Sequence, residues 1–265
     1  MTSSPSPDLP TGETGRMIVV LDRSAAPPGE VLRRFGVQSV HAGDAGPNGN
    51  LNVPAGGAVV LDALGVAIVE SSPEILFEAA ADPATAVMTA EPEVYVHAFV
   101  GGNDDEADED WSTGLDTTLE SVTTDGFLAE DPDAVAALGW SDTDLATWGL
   151  LATQVFPPAL RRTPWSGRGI RVAVLDTGID TGHPDFVGRV ELTRSFISGE
   201  SVKDGNGHGT HVAGTIGATR SPAGGRRRYS VAPNARLLIG KVLSNAGSGT
   251  SGGVLEGMNW AIEQG

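Results

Sequence analysis

The stretch Val172-Ala-Val-Leu-Asp176-Thr-Gly-Ile-Asp180 decides how the second half of this chain is read. Ile170 to Leu175 is a buried strand by its β-branched content. It delivers a carboxylate, Asp176, at its C-terminal end, where open α/β sheets build their sites. Gly178 permits the turn that follows. Taken alone, Asp176 could equally cap the next segment, as strand-end aspartates often do.

Working outward, Val190 to Ile197 and Arg236 to Leu243 read as further strands. His208 to Ala218 reads as a small-residue helix. Val254 to Ile262 reads as an amphipathic one, with Val254, Leu255, Met258 and Ile262 at helical spacing. Strands alternating with helices imply parallel βαβ units. No internal repeat is visible.

Toward the N-terminus the pattern changes. Met17 to Leu21 is a strand-like apolar run, and Gly29 to Phe35 is helical, with Val31, Leu32 and Phe35 on one face. Ala58 to Asp62 and Val66 to Glu70 flank Ala63-Leu64-Gly65, a hairpin signal. Ser72 is a candidate N-cap with Pro73 at the first helical position, and Ile75, Leu76 and Ala79 form the apolar face. Val94 to Val100 is a last strand. The order β-α-β-β-α-β is that of a small ferredoxin-like α+β domain. The expected division is a disordered tail at 1–15, a compact domain at 16–99, an acidic insert or linker at 100–147 and an α/β part at 148–265. Residues 100–147 hold 14 Asp and Glu and no Lys or Arg. Within them Gly101 to Asp110 is expected to be disordered, and short helical patches are expected near Pro132 to Leu138 and Asp142 to Thr147.

Bulk properties narrow the function. The absence of cysteine excludes disulfides, thiolate metal sites and a cysteine nucleophile. The net charge of −17 argues against nucleic-acid partners. It is unevenly placed: residues 1–150 carry 4 basic against 26 acidic side chains, and residues 151–265 carry 13 against 8. Either an acidic front faces a mildly basic back, or the acidic surface is simply solvated. No apolar run is long enough for a membrane span, and no secretory signal is visible, so the default location is cytoplasmic.

The second chemical motif is Asp204-Gly-Asn-Gly-His208-Gly-Thr-His211-Val-Ala-Gly214. A polar, Gly-rich loop leads into a helix that begins with two histidines. His208 and His211 share a helix face, as zinc ligands can, but no HExxH pattern and no cysteine accompanies them. A capping histidine plus a buried one is the plain structural alternative.

Together, Asp176-Thr-Gly-Ile-Asp180 and His208-Gly-Thr-His-Val-Ala-Gly214 resemble the aspartate and histidine signatures of the subtilase family, subtilisin-like serine peptidases. The resemblance runs over Trp148 to Gly265 and includes His183-Pro-Asp185, Val231-Ala-Pro233, Gly240-Lys-Val-Leu243 and Asn259-Trp-Ala-Ile262. Residues 16–99 are similar to the family's inhibitory propeptide, in element order and in runs such as Ile18-Val-Val-Leu-Asp22.

The resemblance implies the N-terminal part of a subtilisin-like parallel-sheet domain preceded by a propeptide that acts in cis. It implies His208 as general base and Asp176 as its orienting carboxylate. His211 would pack behind the site. Leu243, Gly247, Ser248 and Gly249 would belong to the edge strand that pairs with substrate backbone, and Val96 to Val100 would be the propeptide tail lying in the cleft. Cleavage is expected at Phe99-Val100 or nearer Trp148. The family's third motif, a serine in a Gly-Thr-Ser-Met-Ala-like helix start, is absent, as is its oxyanion asparagine. Gly249-Thr250-Ser251-Gly252 lacks the Met-Ala-x-Pro continuation, so Ser251 is rejected as nucleophile.

Many family members bind a structural Ca²⁺ between the histidine helix and the Val-Ala-Pro turn, helped by the aspartate of His-Pro-Asp. Here that loop, Ser221 to Ser230, carries three arginines and no suited acceptor side chain, so no calcium and no other cofactor is expected. The expected function is therefore serine endopeptidase, acting on proteins or peptides, in a fragment lacking its serine and inactive alone. The alternatives are an inactive binding or inhibitory protein and, more remotely, a His-based metal hydrolase.

Overall fold

Two sheets, one largely antiparallel and one parallel, share a single helix between them. The computed structural model describes residues 10–42, 53–98, 141–156 and 165–265. The acidic run 101–110, the expected helical patch at 132–138 and the Phe99-Val100 bond lie outside the described residues.

The first sheet begins with β1 (Glu13–Leu21), followed by α1 (Pro28–Arg34), β2 (Gln38–His41), β3 (Gly57–Leu61), β4 (Val66–Val69), α2 (Pro73–Ala81) and β5 (Val87–His97). Alternation on β1 sends Met17, Val19 and Leu21 to one face, where they meet Val31 and Leu32 of α1 and Leu76 and Ala79 of α2. Ile18 and Val20 face the other way, with Val59, Leu61, Val66 and Ile68. β3 and β4 are buried on both faces, which is why their sequences read as continuous apolar runs.

The four strands β3-β4-β1-β5 are mutually antiparallel, in the order of a ferredoxin-like sheet. Four features differ from the sequence reading: β5 begins at Val87, seven residues before the strand expected from Val94, and three more follow. An extra strand, β2, runs parallel to β3 at one edge. β1 starts at Glu13, inside the stretch expected to be disordered. Ser72 precedes α2 but does not cap it: its hydroxyl turns to the Glu74 carboxylate instead.

The second part contains α3 (Trp148–Ala152), β6 (Arg171–Asp176), β7 (Val190–Ser195), α4 (His208–Gly217), β8 (Arg236–Lys241), β9 (Ser248–Thr250) and α5 (Ser251–Glu263). β6, β8 and β7 form a parallel sheet in that order. Val212, Ala213 and Ile216 of α4 pack on one face against Val174, Leu237 and Ile239. Trp260 of α5 packs on the other with Phe196, Leu238 and Val242. A methyl group at Gly257 would collide with Val242, so glycine there lets α5 lie close to the sheet. The expected helix over Asp142 to Thr147 is not formed. These residues make turns, and Ala146 bridges in parallel to Arg228.

α5 also reaches the first sheet. Leu255 joins the cluster around Ile18, Val20 and Ile68, and the Asn259 side chain accepts from the Ala63 N–H at 2.8 Å. β9 then extends the first sheet by pairing antiparallel with the end of β5. Among the described residues no helix is long and apolar enough to cross a membrane.

Candidate active site

β6 ends on Asp176, and α4 begins on His208. The His208 ring meets the Asp176 carboxylate through Nδ1, at 2.8 Å from Oδ1 and 2.9 Å from Oδ2. Asp176 is buried, with Oδ1 also accepting from the Thr177 N–H at 2.6 Å, while His208 is half-buried. With Nδ1–H donating to the carboxylate, Nε2 is the nitrogen available to take a proton.

Local sequence explains why strand end and helix start meet. Gly178 adopts φ 110°, and a side chain there would strike the Val202 carbonyl. Gly209 lies so close to Gly178 that a methyl group would collide with its carbonyl. The Thr177 hydroxyl accepts from the Gly209 N–H at 2.9 Å and donates to Asp204 Oδ1 at 2.9 Å.

Asp204 organises the helix start. Its carboxylate accepts from the N–H groups of Asn206, Gly207 and Thr210 at 3.0, 2.8 and 2.9 Å. Burial pushes this carboxyl up, but the donors Gly207, Thr210 and Thr177 outweigh burial and bring it down to about 2. A fixed anion beside the first turn also suits the helix dipole.

Beneath the pair lies Lys241, fully buried at the end of β8. Its Nζ donates to the Thr177 carbonyl, lies 2.9 Å from Asn245 Oδ1 and pairs with Glu200 Oε2 at 3.2 Å. Asn245 Oδ1 also accepts from the Gly205 N–H at 2.9 Å. Sequence reasoning gave Thr177, Asp204, Lys241 and Asn245 no separate roles. A lone lysine inside the apolar strand Leu237 to Val242 was the available signal.

Leu243, Gly247, Ser248 and Gly249 do lie together, beside the end of β5. Tyr95, Val96 and His97 pair with Thr250, Gly249 and Ser248, and the Ala98 N–H donates to the Gly247 carbonyl at 2.7 Å. Leu243 is buried in a cluster that includes Val96, Ala98 and Val254. Ser251 is the first residue of α5, and its hydroxyl accepts from the Val94 N–H at 3.1 Å. His211 departs from expectation: it is exposed on the outer side of α4 and does not pack behind the pair.

Asp185 is buried, and its carboxylate is already engaged. Oδ1 accepts from the Ala223 N–H and Oδ2 from the Tyr229 hydroxyl, both at 2.7 Å. Burial pushes the carboxyl up, yet these donors hold it below its ordinary value, and burial with Asp185 alongside raises the Tyr229 phenol. Each oxygen already accepts one hydrogen bond, and Ser221 to Ser230 bring three arginines and no carboxylate or amide side chain to join Asp185 as ligands, so the residues present do not fit a calcium ion. Among the described residues no three His, Cys, Asp or Glu side chains form a metal-holding group.

Residues 167–265 match the Subtilase family. An alkaline protease of Alkalihalobacillus alcalophilus is 46% identical over 119 residues, covering 44% of this chain and 29% of that protein. The M-protease of Shouchella clausii (strain KSM-K16) is 41% identical over 148 residues, covering 56% and 36%. A solved structure titled Sphericase is 40% identical over 44% of this chain and 38% of its own, with a TM-score of 0.39. The chain spans about a third of the length of the curated relatives it matches.

Proposed function

We propose that this chain, whose residues 167–265 belong to the subtilase family, is the pro-region and the Asp–His half of a serine endopeptidase. The observation that carries the reading is the contact of His208 Nδ1 with both oxygens of Asp176, at 2.8 and 2.9 Å. A serine hydroxyl is a weak nucleophile until a neutral imidazole takes its proton. In this reading Nε2 of His208 takes that proton and returns it to the leaving amine, while Asp176 holds the tautomer and stabilises the imidazolium. No segment of the 265 residues matches the family's serine motif, so the chain alone is inactive.

Residues 16–99 act in cis as an inhibitory propeptide. Support comes from the Tyr95 to Ala98 segment, which lies on β9 as an added antiparallel strand and presents Val96 and Ala98 to Leu243. Protein substrates would use the same backbone edge at Gly247, Ser248 and Gly249 and the same apolar contact at Leu243.

The test is to express the native reading frame that contains these residues and to treat the product with a serine-directed fluorophosphonate and a fluorogenic peptide. Labelling and hydrolysis that Asp176→Ala and His208→Ala each reduce by several orders of magnitude support the proposal. A folded product that neither labels nor cleaves would make this a binding or inhibitory protein on a protease scaffold.

A further inference from the structure

A buried cation without a carboxylate partner sits in the loop between α4 and β8. Arg228 is 3% exposed. Its guanidinium donates from Nε to the Ser230 carbonyl and from Nη2 to the Val231 carbonyl, each at 2.8 Å. Its Cζ lies 6.0 Å from the centre of the Phe156 ring, within reach of a cation–π attraction. Nη1 is buried with no hydrogen-bond partner among the described residues. Burial, and after it the nearby Arg220, lower the pKa of this group, as expected for a cation held by carbonyls and an arene.

The backbone of the same residue holds a remote piece of chain. The Arg228 N–H donates to the Leu145 carbonyl and the Thr147 N–H to the Arg228 carbonyl, both at 3.0 Å. Next to it, Arg227 pairs with Asp142 at 3.4 Å, and Asp142 also accepts from the Trp148 N–H at 2.8 Å. Ala146, Leu150, Leu151 and Phe156 form a small core of their own under this strap. Residues 141–156 are thus fastened to the catalytic part largely through one loop, and a buried guanidinium lies at the fastening point.

Asp185, between β6 and β7, reaches this loop: its carboxylate accepts from the Ala223 N–H and the Tyr229 hydroxyl, both neutral donors. A divalent cation brought here would find one carboxylate, Asp185, and in Ser221 to Ser230 three arginines and no carboxylate or amide side chain. We infer that the Arg228 guanidinium is the resident cation of this loop, gathering carbonyls and anchoring residues 141–156 where the resembling family uses calcium. This inference does not depend on the peptidase reading.

The experiment uses the 265-residue chain. Its thermal midpoint is measured in millimolar EDTA and in millimolar CaCl₂, and calcium binding is followed by titration calorimetry. The expected result is no binding and a difference below about 1 °C between the two conditions. In Arg228→Met, hydrogen exchange at the Thr147 amide is expected to quicken by about tenfold or more while amides of β8 keep their protection. Arg228→Lys is expected to rescue only partly, because an ammonium cannot span two carbonyls with the planar fork of a guanidinium. Stoichiometric calcium binding, or a midpoint several degrees lower in EDTA, overturns the inference. So does a folded Arg228→Met with Thr147 as protected as before. If Arg228→Met fails to fold, the calcium and EDTA comparison on the unmutated chain decides.

Discussion

Glu93 of β5 lies so close to Gly252, the second residue of α5, that a methyl group on Gly252 would collide with Glu93 Oε1. Glu93 is fully buried, and Arg16 holds it through Nε at 2.6 Å and Nη2 at 2.8 Å. A neutralised carboxylate of the first sheet is thus pressed against the positive end of a helix that belongs to the second part.

Gly252→Ala should therefore loosen the junction between the two parts. We expect a loss of about 1–3 kcal/mol in stability, as for other overpacked buried sites. Amide exchange should locate the damage at Val94 and Ala98, whose N–H groups bond the Ser251 hydroxyl and the Gly247 carbonyl, with β8 amides unchanged. Unchanged protection at Val94 and Ala98 would contradict this account.

Asp204 sets an acid limit on the loop that leads into α4. Its carboxyl lies at about 2 in the folded chain against an ordinary 3.8. A depressed acid contributes stability that is complete above the unfolded value and is lost as pH falls through the folded one. Because Asp204 is partly exposed and solvent screens it, Asp204→Ala should cost only about 1 kcal/mol at neutral pH. The gap between variant and parent should narrow from about pH 4 downward, as measured by urea midpoints.

Glu256 acts in the opposite direction. It is 2% exposed, both carboxylate oxygens lack partners among the described residues, and burial raises its pKa to about 7 against a modest pull from Arg194. The raised value favours the protonated form in the folded chain. Its contribution is most favourable below pH 4.5, declines as pH rises toward 7 and is level beyond. Glu256→Gln should remove this slope and leave the variant more stable than the parent at pH 8, by roughly 1–3 kcal/mol.

Lys241→Met would take the donor away from the Thr177 carbonyl and Asn245 Oδ1 and leave Glu200 without its cation. Glu200 is partly solvated, so the expected cost is about 2–4 kcal/mol, short of that for a fully buried pair. Amide resonances of Thr177 and Gly209 should shift, because the Thr177 carbonyl links the lysine to the Asp176–His208 pair. Unaltered resonances at both would separate Lys241 from the site.

Much of this architecture was legible because chemistry and packing leave marks at short range. Asp176 and His208 announce themselves through the glycines that let a helix start approach a strand end. The runs Ala58 to Asp62 and Val66 to Glu70 mark a hairpin, which β3 and β4 form. Nothing local marked β2, three of whose four residues, Gln38, Ser39 and His41, are polar and which gains its strand from pairing with β3. The resemblance puts His211 behind the site, but the small residues Ala213, Gly214 and Gly217 take the face of α4 that meets the sheet and leave His211 exposed. Segment 142–147 carries a helix-like pattern, yet Arg228 offers it backbone partners that a helix would have withdrawn.

The ladder between β5 and β9 joins residues far apart in the chain: the adjoining Val94–Ser251 contact spans 157 residues. Closing so long a loop is entropically costly and slow relative to the local β3–β4 hairpin. In order of events, then, the first sheet can be complete along β3-β4-β1-β5 before β9 finds its edge. β9 has only three residues and α5 is glycine-rich at its start, so neither carries much conformational preference of its own. The late step is then the docking of a poorly self-determined segment onto a preformed template. Refolding of this chain should slow when the template edge at Tyr95 to His97 is altered, even by substitutions that leave the second sheet untouched.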